Sequence, residues 1–290
     1  MVKMKILITG AGGFLGQKLF SIISKDYEVY GTDRRGREPF HKVDLTDKEN
    51  LAKIVSELRP DVIINSAGIT DVDYCEENPE EVRKISQRCI KNLIETCLKN
   101  KCKLVHISTD YVFDGKKGDY GEDNKTNPIN VYGKIKLEEE KAITSSTLDY
   151  IISRVAVLYG YNSPEDKQTF ANWVINKLKS RQDIKIINDH FSTPTLIDDI
   201  VEAIKNLIRL DKTGIYHVAG SERINRYEFA IKIANIFNLK KSLIRPVTSE
   251  EIKWKANRPK DSSLNTDKLK KLNIKMSNIR EGLNKMKKQM

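Results

Sequence analysis

Two rhythms of apolar residues alternate along the chain. Short runs at Met4 to Thr9, Glu28 to Thr32, Asp61 to Asn65 and Lys103 to Ile107 read as strands. The most continuous of them, DVIIN at 61–65, has the hydrophobicity of a parallel strand covered on both faces. Between the runs, helical periodicity marks 14–24, a stretch ending near Leu58, and a long segment from Pro79 to Asn100. Thr46 and Glu49 have the spacing of a capping box for the second of these helices, and Pro60 closes it. Strands alternating with helices over 4–158 predict an α/β fold with a doubly wound parallel sheet, Rossmann-like in plan.

Past Gly160 the rhythm changes. One helix, a short strand at Ile184 to Ile187 and the loop Asp189 to Thr195 are expected up to residue 195. Thr195 with Asp198 then predicts a cap for a helix reaching Leu210, and Ile215 to Val218 a strand returning to the sheet. Residues 220–290 read as helical, with proline-containing links at Pro246 and Pro259. The division predicted is 1–160 with 196–219 as the larger domain, and 161–195 with 220–290 as a smaller C-terminal lobe.

Composition narrows the function classes. No stretch approaches the ~20 apolar residues of a membrane span. The first apolar run is only a strand's length, so no targeting segment is expected. Cys75, Cys89, Cys97 and Cys102 lack CxxC spacing and read as reduced, packed thiols of a cytoplasmic protein. His41, His106, His190 and His217 lie far apart, so no metal site is expected. The net charge of +11 is spread over helix faces among 40 acidic residues, the pattern of a solvated surface rather than a nucleic-acid or membrane footprint. A net positive field would still help attract a diphosphate.

Candidate chemistry begins where the first strand ends. After Thr9 come Gly10, Gly12, Gly13 and Gly16, a tight turn leading from a strand into a helix. Gly10, Gly13 and Gly16 stand three apart, one residue looser than GxGxxG, and no GK[ST] closes the loop as a P-loop would require. The spacing resembles the cofactor loop of the short-chain dehydrogenases, with a helix N-terminus offered to an anion. Asp33 ends the second strand where a carboxylate would accept ribose hydroxyls of NAD(H), yet Arg34 and Arg35 follow it as partners for the 2′-phosphate of NADP(H). Either cofactor is therefore expected. Ser66, Ala67 and Gly68 follow the 61–65 strand with side chains small enough for a cofactor to lie against the backbone.

The second informative stretch is NVYGKIKLEEE at 130–140. It places Tyr132 and Lys136 four apart, on one helical face, and no other of the 11 tyrosines has a lysine at that spacing. Carbonyl reduction needs a proton for the developing alkoxide. Tyrosine can supply it, and a neighbouring ammonium would lower its unperturbed pKa of ~10. The same ammonium could align a nicotinamide ribose, and Thr109 offers a hydroxyl at the end of a strand to orient the carbonyl.

These segments, together with ISTDYVFDG at 107–115, DHFSTPT at 189–195, YEFA at 227–230 and NRPKDSSLNTDKL at 257–269, resemble the dTDP-4-dehydrorhamnose reductase family of the extended short-chain dehydrogenases. The resemblance implies a reductase of a nucleotide-linked 4-keto-6-deoxy sugar, with Thr109, Tyr132 and Lys136 as its triad. It implies cofactor contacts at Gly10, Gly13, Phe14, Leu15, Gly16, Asp33, Arg34, Asp44, Leu45, Ser66, Ala67 and Gly68 as well as Tyr132 and Lys136. It further implies substrate contacts at Thr70, Asp110, Tyr111, Val112, Phe113, Phe191, Thr193, Pro194 and Arg258. It gives the larger domain the NAD(P), the smaller lobe a substrate, most simply a dTDP-sugar, and leaves a homodimer open.

Two positions depart from the family pattern. Ser86 stands where the family usually has asparagine, and Arg226 where it often has tryptophan. A cation at 226 also occurs in the regulatory beta subunit of methionine adenosyltransferase, a relative that shares the STDYVFDG motif. A non-catalytic, cofactor-binding regulatory subunit is therefore the competing expectation, followed by a nucleotide-sugar epimerase or dehydratase that recycles its cofactor.

Overall fold

The computed structural model describes residues 3–161 and 168–290. In chain order the elements begin β1 (Lys5–Thr9), α1 (Phe14–Ile23), β2 (Glu28–Asp33), β3 (His41–Lys42), α2 (Lys48–Leu58) and β4 (Val62–Asn65). Then come α3 (Val72–Glu77), α4 (Pro79–Asn100), β5 (Lys103–Thr109), α5 (Val131–Thr144) and β6 (Tyr150–Val155). The rest are β7 (Leu158–Tyr159), α6 (Phe170–Lys179), β8 (Ile184–Ile187), β9 (Phe191–Ser192), β10 (Thr195–Leu196), α7 (Ile197–Arg209), β11 (Gly214–His217), β12 (Ile224–Asn225), α8 (Arg226–Ile236), β13 (Ile244–Val247), α9 (Asp267–Lys270) and α10 (Ile279–Gln289).

The central sheet has seven strands in the order β11-β6-β5-β4-β1-β2-β3. The pairings from β3 across to β5 are parallel. The chain steps outward from β1 to β3, then returns to β4 on the other side of β1. That reversal makes the carboxyl ends of β1 and β4 the topological switch point of the sheet, the place where ligands of such sheets bind.

The chain divides into two compact units. The first comprises Met1–Ser108, Val131–Ser153 and Lys205–Ile215, and its core includes Leu7, Leu51, Ile63, Leu93, Leu104 and Ile152, all fully buried. The second comprises Thr109–Asn130, Arg154–Ile204 and Tyr216–Met290, built around Tyr159, Val174, Ile175, Phe229 and Leu283. This differs from the predicted boundary. Thr109–Asn130 joins the second unit because it is tied to residues near 260: Ser262 donates to Asp110, Tyr120 N–H to the Ser263 carbonyl at 2.9 Å, and Gly115 lies against Pro259.

Three local expectations are corrected. The N-cap of α2 is Asp47, which accepts from Asn50 N–H at 3.1 Å, whereas Thr46 turns its hydroxyl to Asp44 at 2.8 Å. Thr195 does not cap α7. It lies in β10, donates to the carbonyls of Ala156 and Thr193, and accepts from Gly220 N–H. Pro246 is no link but part of β13, which pairs with β8 in a two-stranded sheet, where an edge strand tolerates a missing N–H. Pro79 does begin α4, as the first helical residue with Glu80 and Glu81 behind it.

Candidate active site

The first unit carries the glycine loop. Gly10 adopts φ +69°, and a Cβ there would stand 2.7 Å from the Ala67 nitrogen. A Cβ on Gly16 would run into the Gly10 carbonyl, so helix, turn and the β4 loop are in direct backbone contact. The N-cap of α1 is Gly13, which offers no side-chain acceptor, and the first turn holds no acidic residue. Such a helix end favours an anion. Beside it, Ser66 donates to the Thr9 carbonyl at 2.7 Å, and a Cβ on Gly68 would meet nothing within 4 Å. A tight turn, an uncapped helix start and open space beyond Gly68 together fit a dinucleotide.

Asp33 and Arg34 end β2, but the structure adds Arg37. Its Nε donates to Asp33 Oδ2 at 2.8 Å and its Nη2 to the Gly12 carbonyl. Burial alone would raise the Asp33 carboxyl; the hydrogen bond and charge of Arg37 outweigh it and hold the group below its ordinary value. Asp44 is likewise held low, chiefly by the Thr46 N–H, and the carbonyl of buried Leu45 accepts from Asn92 at 2.8 Å.

Tyr132 and Lys136 lie one turn apart on α5. Tyr132 packs on Cys75, Val82 and Ile135, and Lys136 is buried, its Nζ 2.5 Å from Glu139 Oε2 and 3.0 Å from His106 Nε2. Neither His106 nor Glu139 was singled out in the sequence, and nor was Arg37. Thr70 lies in the irregular segment before α3.

In the second unit, Thr109 ends β5. Its hydroxyl accepts the Tyr111 N–H at 3.2 Å and donates to Asp110 Oδ1 at 3.1 Å. Asp110 is buried, which pushes its carboxyl up to about 6 against the hydrogen bonds from Ser262 and Thr109. Val112 and Phe113 are fully buried. Phe113 stacks on Tyr120 with ring centroids 4.2 Å apart and lies under the Arg154 guanidinium.

Tyr111, Phe191 and Arg258 line a cavity of about 390 Å³, with Phe170, Trp173, His190, Arg226 and Trp254 among its other walls. Thr193 is buried, receiving Leu264 N–H at 3.4 Å, and the Pro194 carbonyl abuts Gly220; neither lines the cavity. Arg226 lies over Phe170 at 5.0 Å and Arg258 over Trp254 at 5.6 Å. Aromatic walls bearing guanidinium groups suit a flat base joined to an anionic group. Sequence periodicity had no means of finding Trp254, which lies in a stretch without regular structure. Among the described residues, no group of three or more histidine, cysteine, aspartate or glutamate side chains is arranged to hold a metal ion, and no helix is long and apolar enough to cross a membrane.

Residues 4–290 match the family described as RmlD substrate binding domain. Methionine adenosyltransferase 2 subunit beta of Rattus norvegicus is 32% identical over 288 residues, covering 93% of this chain and 83% of its own. The dTDP-4-dehydrorhamnose reductase of Aggregatibacter actinomycetemcomitans is 31% identical over 279 residues, covering 91% of this chain and 92% of its own. The crystal structure of dTDP-4-dehydrorhamnose reductase from Bacillus anthracis in complex with NADP superimposes with a TM-score of 0.91 at 31% identity, covering 100% of both chains.

Proposed function

The chain belongs to the RmlD substrate binding domain family, and on that premise we propose that it reduces the 4-keto group of a nucleotide-linked 6-deoxy sugar, dTDP-4-dehydrorhamnose first, using NADPH or NADH. The observation that carries this reading is Tyr132 one helical turn from a buried Lys136, in the same unit as a glycine loop shaped for a dinucleotide.

A bound reduced nicotinamide supplies the hydride. Gly10, Gly13, Phe14, Leu15 and Gly16 would hold the pyrophosphate, Asp33, Arg34, Asp44 and Leu45 the adenosine end, and Ser66, Ala67 and Gly68 the backbone-facing side. Tyr132 gives its phenolic proton to the carbonyl oxygen as it becomes an alkoxide. Lys136 favours the phenolate left behind and steadies the ribose, while Thr109 orients the carbonyl through its hydroxyl. Arg37 neutralises Asp33 and stands ready for a 2′-phosphate, which makes NADPH the preferred donor. Tyr111, Phe191 and Arg258, on the cavity of the second unit, bind the sugar nucleotide; Asp110, Val112, Phe113 and Thr193 are buried and, like Pro194, do not line that cavity, so they support it from within the same unit. The reaction is read as cytoplasmic.

Mixing purified protein with dTDP-4-dehydrorhamnose and NADPH or, separately, NADH tests this. Loss of reduced cofactor matched mole for mole by a reduced sugar nucleotide supports it; no loss with either cofactor refutes it. The likeness to methionine adenosyltransferase 2 subunit beta favours a second reading, a regulatory subunit. Stable co-purification with a methionine adenosyltransferase, without turnover of the sugar, would select that one.

A further inference from the structure

A buried chain of polar side chains runs from the glycine loop to Lys136 inside the first unit. Thr9 Oγ1 donates to Asn65 Oδ1 at 2.6 Å, and the Ala67 N–H reaches the same oxygen at 3.2 Å. Two donors on Oδ1 fix which way the Asn65 amide faces, so its NH₂ must point at His106 Nδ1, 3.1 Å away. Nδ1 therefore accepts, and the neutral ring carries its proton on Nε2. That proton goes to Glu139 Oε2 at 3.1 Å.

Burial and the nearby Lys136 charge both hold His106 below its ordinary value, which keeps the ring in this neutral form. A protonated Nε2 cannot accept from Lys136. Their 3.0 Å approach is instead the meeting of two donors on one carboxylate oxygen, with Lys136 Nζ 2.5 Å from it. Ser86 donates to the other oxygen, Glu139 Oε1, at 2.5 Å. Burial alone would raise the Glu139 carboxyl, but Lys136 and His106 outweigh it and pull it well below the usual carboxylate range.

We propose that Glu139 is the positioning residue of the reductase site: held by His106 and Ser86, it fixes the Lys136 ammonium and offsets the charge that Lys136 presents to Tyr132. This rests on the reading of Tyr132 as proton donor and Lys136 as its partner. Ser86 and the anionic Glu139 thus act as a pair, one setting the other. Because the chain starts at Thr9 and Ala67, which flank the contact between the glycine loop and the β4 loop, it also ties the lysine to the cofactor cradle.

Other charged groups lie on the elements that carry this cluster, Lys91 and Glu95 on α4 among them, which line one pocket with Ser86 and Glu139. Glu140 on α5 accepts from Ser108, Arg83 on α4 pairs with Glu138, and Glu76 on α3 receives the Val131 N–H at the start of α5. Cys89 on α4 feels both Glu139 and Asp44, with Arg34 and Arg88 opposing; burial first, then those carboxylates, pushes its thiol up to about 12.

Glu139→Gln tests the proposal, because it keeps the shape and an acceptor oxygen but removes the charge. With the lysine unopposed, the Tyr132 phenolate is favoured, so the alkaline limb of kcat/KM for keto-sugar reduction should move to lower pH by about one unit. Glu139→Asp, which restores the charge, should return the limb toward its original position. An unmoved limb in Glu139→Gln, or an equal shift in Glu139→Asp, overturns the proposal. Tyr132→Phe is run alongside: if it retains full turnover, the reading beneath has failed instead. Nitrogen-15 NMR of histidine-labelled wild-type protein supplies a check independent of any variant's folding, the His106 signal being identified as the one missing in His106→Asn. His106 should be neutral with its proton on Nε2 at neutral pH. A proton on Nδ1, or a charged ring, overturns the proposal.

Discussion

Arg37 Nε lies 2.8 Å from Asp33 Oδ2, so the carboxylate at the end of β2 is already paired before any ribose could reach it. The same guanidinium contacts the Gly12 carbonyl, which brings it to the edge of the glycine loop. Arg37→Gln should therefore raise the Kd for NADPH by roughly tenfold or more while leaving NADH within about threefold, as read by quenching of protein fluorescence. Equal losses for both cofactors would assign Arg37 a merely structural role.

Trp254 and Arg258 stack at the cavity of the second unit, beside His190. Contacts that hold the nucleotide far from the reacting carbon act equally on ground and transition states. Trp254→Ala should raise KM for the sugar nucleotide by about tenfold with kcat within about twofold in steady-state assays. A fall in kcat at unchanged KM would remove Trp254 from nucleotide binding.

Stability should decline as pH falls below about 6.5. Burial foremost, with the Arg154 charge second, lowers His217 to about 3, and His106 is lowered as well. The unfolded chain therefore binds more protons than the folded one below about 6.5, for His217 down to about 3, and stability drops there by up to ~1.4 kcal/mol per pH unit for each such group. Asp110 acts oppositely. Raised to about 6, it takes its proton in the folded state first, so it favours folding as pH falls from 6 towards its unfolded value near 4. Urea titrations across this range should show a net decline, steeper in Asp110→Asn. A flat profile would contradict the buried neutral imidazoles.

Gly282 sits inside α10, where alanine is ordinarily the better helix former by ~1 kcal/mol. Here a Cβ would collide with the Tyr159 hydroxyl, and Leu196 stands 3.5 Å away on the same side. Gly282→Ala should accordingly destabilise the protein by about 1–3 kcal/mol in urea denaturation, and the double variant with Tyr159→Phe should recover part of the loss. A stabilised single variant would show that the helix can shift.

Much of this molecule can be read from local pattern. The glycine spacing, the Pro79 helix start and the Tyr132–Lys136 pair all depend on residues within a turn or two of one another. What escaped the sequence depends on distant partners. Thr195 is taken from its expected cap by Ala156 and Gly220, 39 and 25 residues away. Pro246 joins a strand because β8 lies beside it, and Arg37 matters only because its loop folds back over Gly12. Glu139 and Glu140 sit in a run of three glutamates that looks like a solvated helix face. Both are buried, because His106, Lys136 and Ser108 supply their hydrogen bonds from within the fold.

The most direct test of the reductase account is the comparison of wild type with Tyr132→Phe, measuring NADPH consumption with dTDP-4-dehydrorhamnose and NADPH affinity in the same preparations. The account predicts a turnover loss of at least about a hundredfold with Kd for NADPH changed less than about threefold. Undiminished turnover in Tyr132→Phe would contradict it.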